Sequence, residues 1–375
     1  MRVLINAAYL PLSSTEEYGS LIAATFDIII SRYPEHHFIF VCTSQFVSDK
    51  LKRDNSSFHI VKPAGFSLLK YKYWLDISLP RLLKKHKADV FVSTVFCSLK
   101  TSLPQMVWMP SFNANDQQQA SRFQRLFYRK YIPLFIDKAS RLVSFSKIAA
   151  TDLSEKFPAI QNKIAIAAPV VSPLYKPAND NETAIIKDKH TEGKEFFLHG
   201  GDTSDSSNLL QLLKAFSLFK KRQQTSMKLV IAIVNSPADS VFKKSLATYK
   251  YRNDVLLLEN MDEADYALLL SSAYAFVYPV LSESPGLRIV QAIRSHAPII
   301  TSELSFAKEF AGEAALFCNA KEPASIADQL MRIYKDENLR GSLAGKAAIA
   351  ALAYDPATAA EQLWQQVQKA VLTSS

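Results

Sequence analysis

The feature that most constrains this chain is a repeated grammar of short apolar runs alternating with helix-length amphipathic ones. It begins at residue 2 and begins again near residue 195. The first pass opens with a strand, Arg2-Val3-Leu4-Ile5-Asn6. A helix over about 18–32 follows, with Leu21, Ile22, Phe26 and Ile29 at helical spacing. Further strands are expected at residues 38–41, 59–61, 89–92, 105–108 and 141–144, and further helices over 71–87 and 116–138. The second pass expects strands at 195–199, 228–232, 254–258, 275–278 and 298–301. Its helices carry Leu209, Leu212, Leu213, Phe216 and Phe219 on one face, run from Asp262 to Ser271 and from Gly286 to Ser295, and fill the last fifty or so residues, with Ile326, Leu330 and Ile333 as a core stripe. Strands separated by helices cannot pair as hairpins. The connecting helices must cross over a parallel sheet and cover its faces.

Two such passes in 375 residues predict two domains. Between Pro169 and Lys194 the periodicity lapses, with Pro169, Pro173 and Pro177 leading into the polar run Asn179-Asp180-Asn181-Glu182. The expected division is therefore a first α/β domain over 1–178, a linker over 179–194, a second over 195–355, and a terminal helix over 356–375 that Pro356 can start. Both domains are expected to be Rossmann-like and to face a cleft, because open parallel sheets bind ligands outside the carboxyl ends of their strands. The terminal helix is expected to pack back toward the first domain.

Several classes are disfavoured. Cys42, Cys97 and Cys318 are too few and too scattered for a disulfide framework or a Cys-x-x-Cys metal or redox pair, which suits a reducing compartment. No apolar run approaches the ~18–20 residues of a membrane span, and the amino-terminal stretch reads as a strand rather than a signal peptide. There is no Ser/His/Asp arrangement and no cluster of metal ligands. Lys and Arg exceed Asp and Glu by nine, and the excess lies in the first half: 23 basic against 12 acidic residues over 1–178, but 21 against 23 over 179–375. A basic half suits an anionic partner. No nucleic-acid-binding motif accompanies it, so nucleic acid is not expected.

The run Tyr278-Pro279-Val280-Leu281-Ser282-Glu283-Ser284-Pro285-Gly286-Leu287-Arg288-Ile289-Val290-Gln291-Ala292 resembles the donor-site signature of family 4 (group 1) glycosyltransferases. Gly200-Gly201 through Asn208, Asn260 to Tyr266, Ala311 to Leu316, and Ser144-Phe145-Ser146 with Asp152-Leu153 match other parts of that family in order. The resemblance implies the GT-B fold and a retaining transfer of a hexosyl group, mannosyl-like, from a UDP- or GDP-linked sugar to a hydroxyl acceptor. It implies no bound cofactor or metal. It also implies roles: Glu283 at the reacting centre; Gly200, Gly201, Asp202, Met261, Ser284, Pro285, Gly286, Leu287, Arg288 and Gln291 around the donor; and Tyr18, Gly19 and Ser111 on the acceptor side. The chemistry is consistent with this. A helix opened by Gly286 presents free N–H groups and a positive dipole end to a diphosphate, and Glu283 can accept hydrogen bonds from sugar hydroxyls.

The sequence also departs from that pattern. Gln291 stands where the family has a second acid, Ser206-Ser207 where it has a basic pair, Arg288 where it usually has Pro, and no His follows Trp108-Met109-Pro110-Ser111. Arg288 could supply the missing charge. His199, at the end of the strand before the glycine pair, is the His placed nearest the expected crevice. A non-catalytic GT-B relative that binds or assembles with a partner therefore stays open beside the enzyme, with an epimerase or phosphorylase on the same fold as a weaker option. The acceptor, a glycan or a lipid-linked one, is expected on the basic half, with cytoplasmic localisation and peripheral contact with an anionic membrane at its inner surface. Aromatic residues between Phe66 and Trp74 interleave with Lys70 and Lys72 as a lipid-facing segment would, or form an ordinary helix with its apolar face in the core. Arg122, Arg125 and Arg129 read as a solvated face.

Overall fold

The computed structural model describes residues 1–7, 15–42, 49–61, 68–94, 96–109, 122–233, 241–282 and 284–372. The chain divides into two compact units, Met1–Val171 with Asp355–Ser375, and Ser172–Tyr354.

The first unit is built on strands β1 (Arg2–Asn6), β2 (His37–Cys42), β3 (Ser56–Ile60), β4 (Val90–Thr94), β5 (Gln105–Met109), β6 (Arg141–Ser144) and β7 (Ile164–Ile166). They form one sheet in the order β3-β2-β1-β4-β5-β6-β7, every pairing parallel. The crossovers are α1 (Thr15–Arg32), α2 (Leu68–Tyr73) running through a π-helical turn into α3 (Leu79–His86), α4 (Arg122–Lys138) and α5 (Lys147–Lys156). The expected apolar stripe of α1 is buried: Leu21, Ile22, Phe26 and Ile29 are each at most 2% exposed. The short edge strand β7 is not signalled by the sequence. Three residues give too little alternation to register, and its pairing to β6 alone makes it a strand.

The second unit has β8 (Phe196–Gly201), β9 (Lys228–Ile233), β10 (Val255–Glu259), β11 (Ala275–Tyr278), β12 (Ile299–Ser302) and β13 (Ala315–Cys318) in the parallel order β10-β9-β8-β11-β12-β13. Around them lie α6 (Asp180–Thr191), α7 (Leu209–Gln223), α8 (Val241–Ala247), α9 (Glu263–Ser272), α10 (Leu287–Arg294), α11 (Ser305–Ala311), α12 (Pro323–Lys335) and α13 (Glu337–Ala351). The core stripe of α7 is buried as expected, together with Ile326, Leu330 and Ile333.

The polar run expected to be a linker begins a helix instead. The Asn179 side chain accepts from the Glu182 N–H and the Glu182 carboxylate accepts from the Asn179 N–H, both at 2.9 Å. Each satisfies a backbone donor that a helix start leaves orphaned. The same polarity that suggests a loop is what opens α6.

The terminal helix α14 (Pro356–Leu372) belongs to the first unit. Its Trp364 is fully buried and stacks on Tyr33 at 4.9 Å between ring centres, with His36 at 5.1 Å. Glu361 accepts a hydrogen bond from the Tyr33 hydroxyl at 2.6 Å.

Candidate active site

Each sheet reverses its winding beside its first strand, between β1 and β4 in one unit and between β8 and β11 in the other. Loops leaving two such strands diverge to opposite faces, so a crevice opens at their carboxyl ends. In the second unit the loops after β8 and β11 carry most of the residues that the sequence singles out.

These two loops are tied together. The Leu281 N–H donates to the Ser206 carbonyl at 2.9 Å, and the Asn208 side chain donates to the carbonyls of Pro279, 2.8 Å, and Ala320, 2.6 Å. Asn208 itself is left-handed, with φ 59°. The loop after β8 folds around one carboxylate. Oδ1 of Asp202 accepts from the Ser204 hydroxyl and the Ser207 hydroxyl, each at 2.6 Å, and from the Ser204 N–H at 2.9 Å. Two hydroxyls and a carboxylate thus occupy the loop where the resemblance would place a basic pair.

The loop after β11 ends at Gly286, with φ 78°, which caps α10. The Gly286 N–H donates to Ser284 Oγ at 3.1 Å. A side chain here would be doubly penalised. The left-handed backbone disfavours any Cβ, and one placed on Gly286 would lie 2.2 Å from the Phe310 ring. At Gly200 the constraint is steric alone, since a Cβ there would meet the Tyr266 hydroxyl at 2.1 Å. The glycines thus let Phe310 of α11 and Tyr266 of α9 pack directly against the backbone of the two loops.

Arg288, in the first turn of α10, is buried rather than solvent-facing. Its guanidinium lies 5.2 Å from the centre of the Tyr266 ring and donates to Gln291 Oε1 at 3.3 Å. Burial brings its pKa down to about 10. Gln291 is 2% exposed and also hydrogen-bonds Tyr175, a buried residue that nothing in the sequence marks. Burial, with Glu263 and Tyr266 nearby, pushes the Tyr175 hydroxyl well up. Gln291 therefore serves a buried Arg288–Gln291–Tyr175 chain beside Tyr266. Pro285 and Leu287 are buried, and Met261 is half-buried in the loop that precedes α9. Glu283 lies outside the described residues.

His199 is fully buried in β8. Its Nδ1 lies 2.9 Å from the Val277 carbonyl of β11; a carbonyl can only accept, so Nδ1 carries the proton. Nε2 is then a buried lone pair, and it lies 3.6 Å from where a Gly201 Cβ would be. Burial lowers the imidazole pKa to about 4, against smaller opposing effects of the Val277 bond and Asp202.

In the first unit Tyr18 is fully buried and Gly19 half-buried on α1, and Ser111 lies outside the described residues. The carboxyl ends of β1 and β4 are joined by a polar cluster that sequence reasoning missed. Asn6 donates to the Tyr71 hydroxyl at 3.0 Å and to Ser93 Oγ at 3.1 Å. Its only signal is an Asn closing an otherwise apolar strand. Among the described residues no three His, Cys, Asp or Glu side chains are grouped to hold a metal, and no helix is long and apolar enough to cross a membrane.

Two parallel sheets of this winding, each in its own unit, are the architecture of the GT-B fold. Residues 180–349 match the family model described as glycosyl transferases group 1. Among curated relatives, the O-antigen chain mannosyltransferase RfbU of Salmonella typhimurium is 20% identical over 255 residues, 68% of this chain and 67% of the relative. The O-antigen chain mannosyltransferase B of Escherichia coli is 20% identical over 206 residues, 55% of this chain and 54% of the relative. Among solved structures, WaaG, a glycosyltransferase involved in lipopolysaccharide biosynthesis, superposes with a TM-score of 0.77 at 16% identity, covering 98% of this chain and 99% of that one. HepE of Anabaena, solved with UDP and glucose, gives 0.75 at 14% identity over the same shares. At these identities the superpositions establish the fold.

Proposed function

We propose that the protein is a retaining hexosyltransferase, mannosyltransferase-like, that moves a sugar from a UDP- or GDP-linked donor to a hydroxyl of a glycan or lipid-linked acceptor in cell-surface polysaccharide assembly. The observation that carries this reading is the opening of α10 by Gly286 at the switch point of a sheet whose sequence matches group 1 glycosyl transferases. The names of the curated relatives, both O-antigen chain mannosyltransferases, support the sugar and the product class.

In this reading the donor diphosphate lies at the amino end of α10, where free N–H groups and the helix dipole favour negative charge. The bond from the anomeric carbon to the phosphate oxygen breaks through an oxocarbenium-like state, and the α10 amides stabilise the departing oxygen. The acceptor oxygen bonds to the same face of the sugar and its proton passes to the leaving phosphate. Glu283 holds sugar hydroxyls. Arg288 adds positive charge behind the helix start.

The test is calorimetry with UDP and GDP, followed by a donor panel with product detection. Micromolar binding of one nucleotide is expected, and affinity for the corresponding nucleotide sugar should be at least tenfold weaker in Glu283→Ala. Binding of neither nucleotide would instead leave the non-catalytic reading standing.

A further inference from the structure

We infer that the loop after β8 holds a divalent cation of the Mg2+ or Mn2+ class, which brings to the donor diphosphate the positive charge that the loop's own side chains lack. The loop is the run Asp202-Thr203-Ser204-Asp205-Ser206-Ser207, with no Lys or Arg in it. Its side-chain oxygens converge. Asp202 Oδ1 lies 2.6 Å from Ser204 Oγ, and Ser204 Oγ lies 2.8 Å from Ser206 Oγ. Ligands of Mg2+ stand about 2.0–2.1 Å from the ion in a near-ideal octahedron, so neighbouring ligands are about 2.9 Å apart. A carboxylate and two hydroxyls at alternate positions of the loop thus stand at the spacing of two adjoining octahedral edges. All-oxygen ligands of this kind suit Mg2+ or Mn2+ rather than zinc or copper. Ser204 is exposed, and Asp202 and Ser206 are half-buried, so the group is open to an ion from solvent.

A second observation points to the same place from within the sheet. The Nε2 lone pair of His199 is fully buried and has no donor among the described residues. It faces the loop. A Cβ placed on Gly201 would lie 3.6 Å from Nε2 and 3.7 Å from Ser207 Oγ, both at ordinary contact distance. A methyl-sized space is also the size of a water molecule, and here it is bordered by two polar atoms. Because Nδ1 donates to the Val277 carbonyl, Nε2 can only accept. Mg2+ keeps several of its waters when a protein binds it. One of them, seated beside Gly201, would donate to Nε2, and such outer hydrogen bonds orient the ligands of an ion. Ser204 and Ser206 would turn their protons outward and give lone pairs to the ion, while Ser207 keeps its bond to Asp202. One ligating carboxylate leaves part of the double charge uncompensated. The Leu281 N–H bond to the Ser206 carbonyl sets that charge against the segment leading to Gly286, where a diphosphate oxygen would complete the coordination.

The inference deepens the proposed function and rests on it for the diphosphate, but not for the ion. Its test has two arms. In the first, Mn2+ alone is titrated into the full chain and followed by electron paramagnetic resonance. A single bound Mn2+, displaced by Mg2+, is expected. Asp202→Asn keeps an acceptor for Ser204 and Ser207 and should leave the melting temperature unchanged, yet weaken Mn2+ binding about tenfold or more, because affinity follows the charge of the ligands. Ser204→Ala, which removes one neutral ligand, should weaken it several-fold. In the second arm UDP and GDP are titrated by calorimetry in Mg2+ and in EDTA. The nucleotide that binds should bind about tenfold or more tightly in Mg2+, since a bound cation is the largest local charge in such a site. Ser206→Arg, which fixes a cation in the same loop, should bind that nucleotide equally well in both. Absence of Mn2+ binding overturns the inference, and so does Mn2+ binding that Asp202→Asn leaves unchanged. A wild-type nucleotide affinity that is the same in Mg2+ and EDTA overturns it as well. Mn2+ held at Asp202 with neither nucleotide bound would overturn the proposed function instead.

Discussion

His199 of β8 is fixed by a hydrogen bond to the Val277 carbonyl of β11, 2.9 Å across the switch point of the second sheet. The bond requires a protonated Nδ1, and full burial keeps Nε2 unprotonated, so the ring is neutral and spans the two strands that frame the crevice. Its folded pKa of about 4 lies below the unfolded value of about 6.5. The unfolded chain therefore binds the extra proton first. The stabilising contribution is complete above pH 6.5 and is lost as pH falls toward 4, by an amount on the order of 3 kcal/mol. Melting temperatures between pH 7.5 and 4.5 should fall more steeply for the wild type than for His199→Gln. Parallel pH slopes would show that the ring is not buried neutral.

Gly286→Ala should destabilise the second unit by about 2–4 kcal/mol, combining a left-handed backbone with a Cβ 2.2 Å from the Phe310 ring. The two penalties are separable. Phe310→Leu in the Gly286→Ala background should recover the steric part and leave the backbone part, a positive coupling in a double-mutant cycle read by urea titration. Additive effects of the two changes would exclude the contact.

Much of this was legible in the sequence, for a physical reason. Strands buried on both faces, such as those at Phe38 and Val277, must be continuously apolar, and their crossover helices must show one apolar stripe, as at Leu212 and Phe216. Both patterns survive without coordinates. The polar features read less well, because a polar side chain does not announce its partner. Asn179 and Glu182 suggested a loop and make a capping box. Arg288, a charge in the first turn of a helix, is buried against the Tyr266 ring. Gln291 is hydrogen-bonded to Arg288 and to Tyr175, the latter far away in sequence. Phe123 and Leu126 of α4 are exposed, and the sequence does not show it, because helical spacing gives which residues share a face and not which face is covered.

The positions where the family carries a basic pair hold Ser206 and Ser207, and Ser207 donates to Asp202 at 2.6 Å. Ser206 is half-buried, its carbonyl serves Leu281, and its side chain is bonded to Ser204. Ser206→Arg would replace that hydroxyl with a guanidinium beside the crevice and leave the Asp202–Ser207 bond in place. If the diphosphate lies there, a charge-assisted hydrogen bond should raise UDP or GDP affinity about tenfold or more, with a steeper salt dependence, measured by calorimetry. Unchanged affinity at low salt would place the diphosphate elsewhere.

The three thiols should be inert in the folded chain. Cys42, Cys97 and Cys318 are all buried. Burial raises the Cys42 thiol to about 11 and the Cys318 thiol to about 12, and pushes Cys97 up as well, while Cys97 Sγ donates to the Phe135 carbonyl at 3.3 Å. Thiolate is the reactive form, so at pH 8 both access and ionisation are suppressed. A chromogenic disulfide reagent should titrate three thiols in denaturant and react with the native protein at least a hundredfold more slowly. A fast native phase would mark a thiol that the fold does not cover.

The last prediction concerns the helix that returns to the first unit. Trp364 contributes a fully buried ring stacked on Tyr33 and packed against His36 and Phe38, and Glu361, one turn earlier, binds the Tyr33 hydroxyl and lies 3.4 Å from Arg32 Nε. Deleting the ring removes its apolar burial and leaves a cavity against α1 and β2, a loss of about 3–5 kcal/mol. Trp364→Ala should therefore lower the melting transition of the first unit on the order of 10 °C. Trp364→Phe should cost much less. It keeps most of the stacking, and it removes a buried indole N–H that has no acceptor among the described residues. The second unit, to which α14 does not belong, should melt as before. Scanning calorimetry of the two variants checks all three expectations, and an Ala variant that melts like wild type would show that α14 is not integral to the first unit.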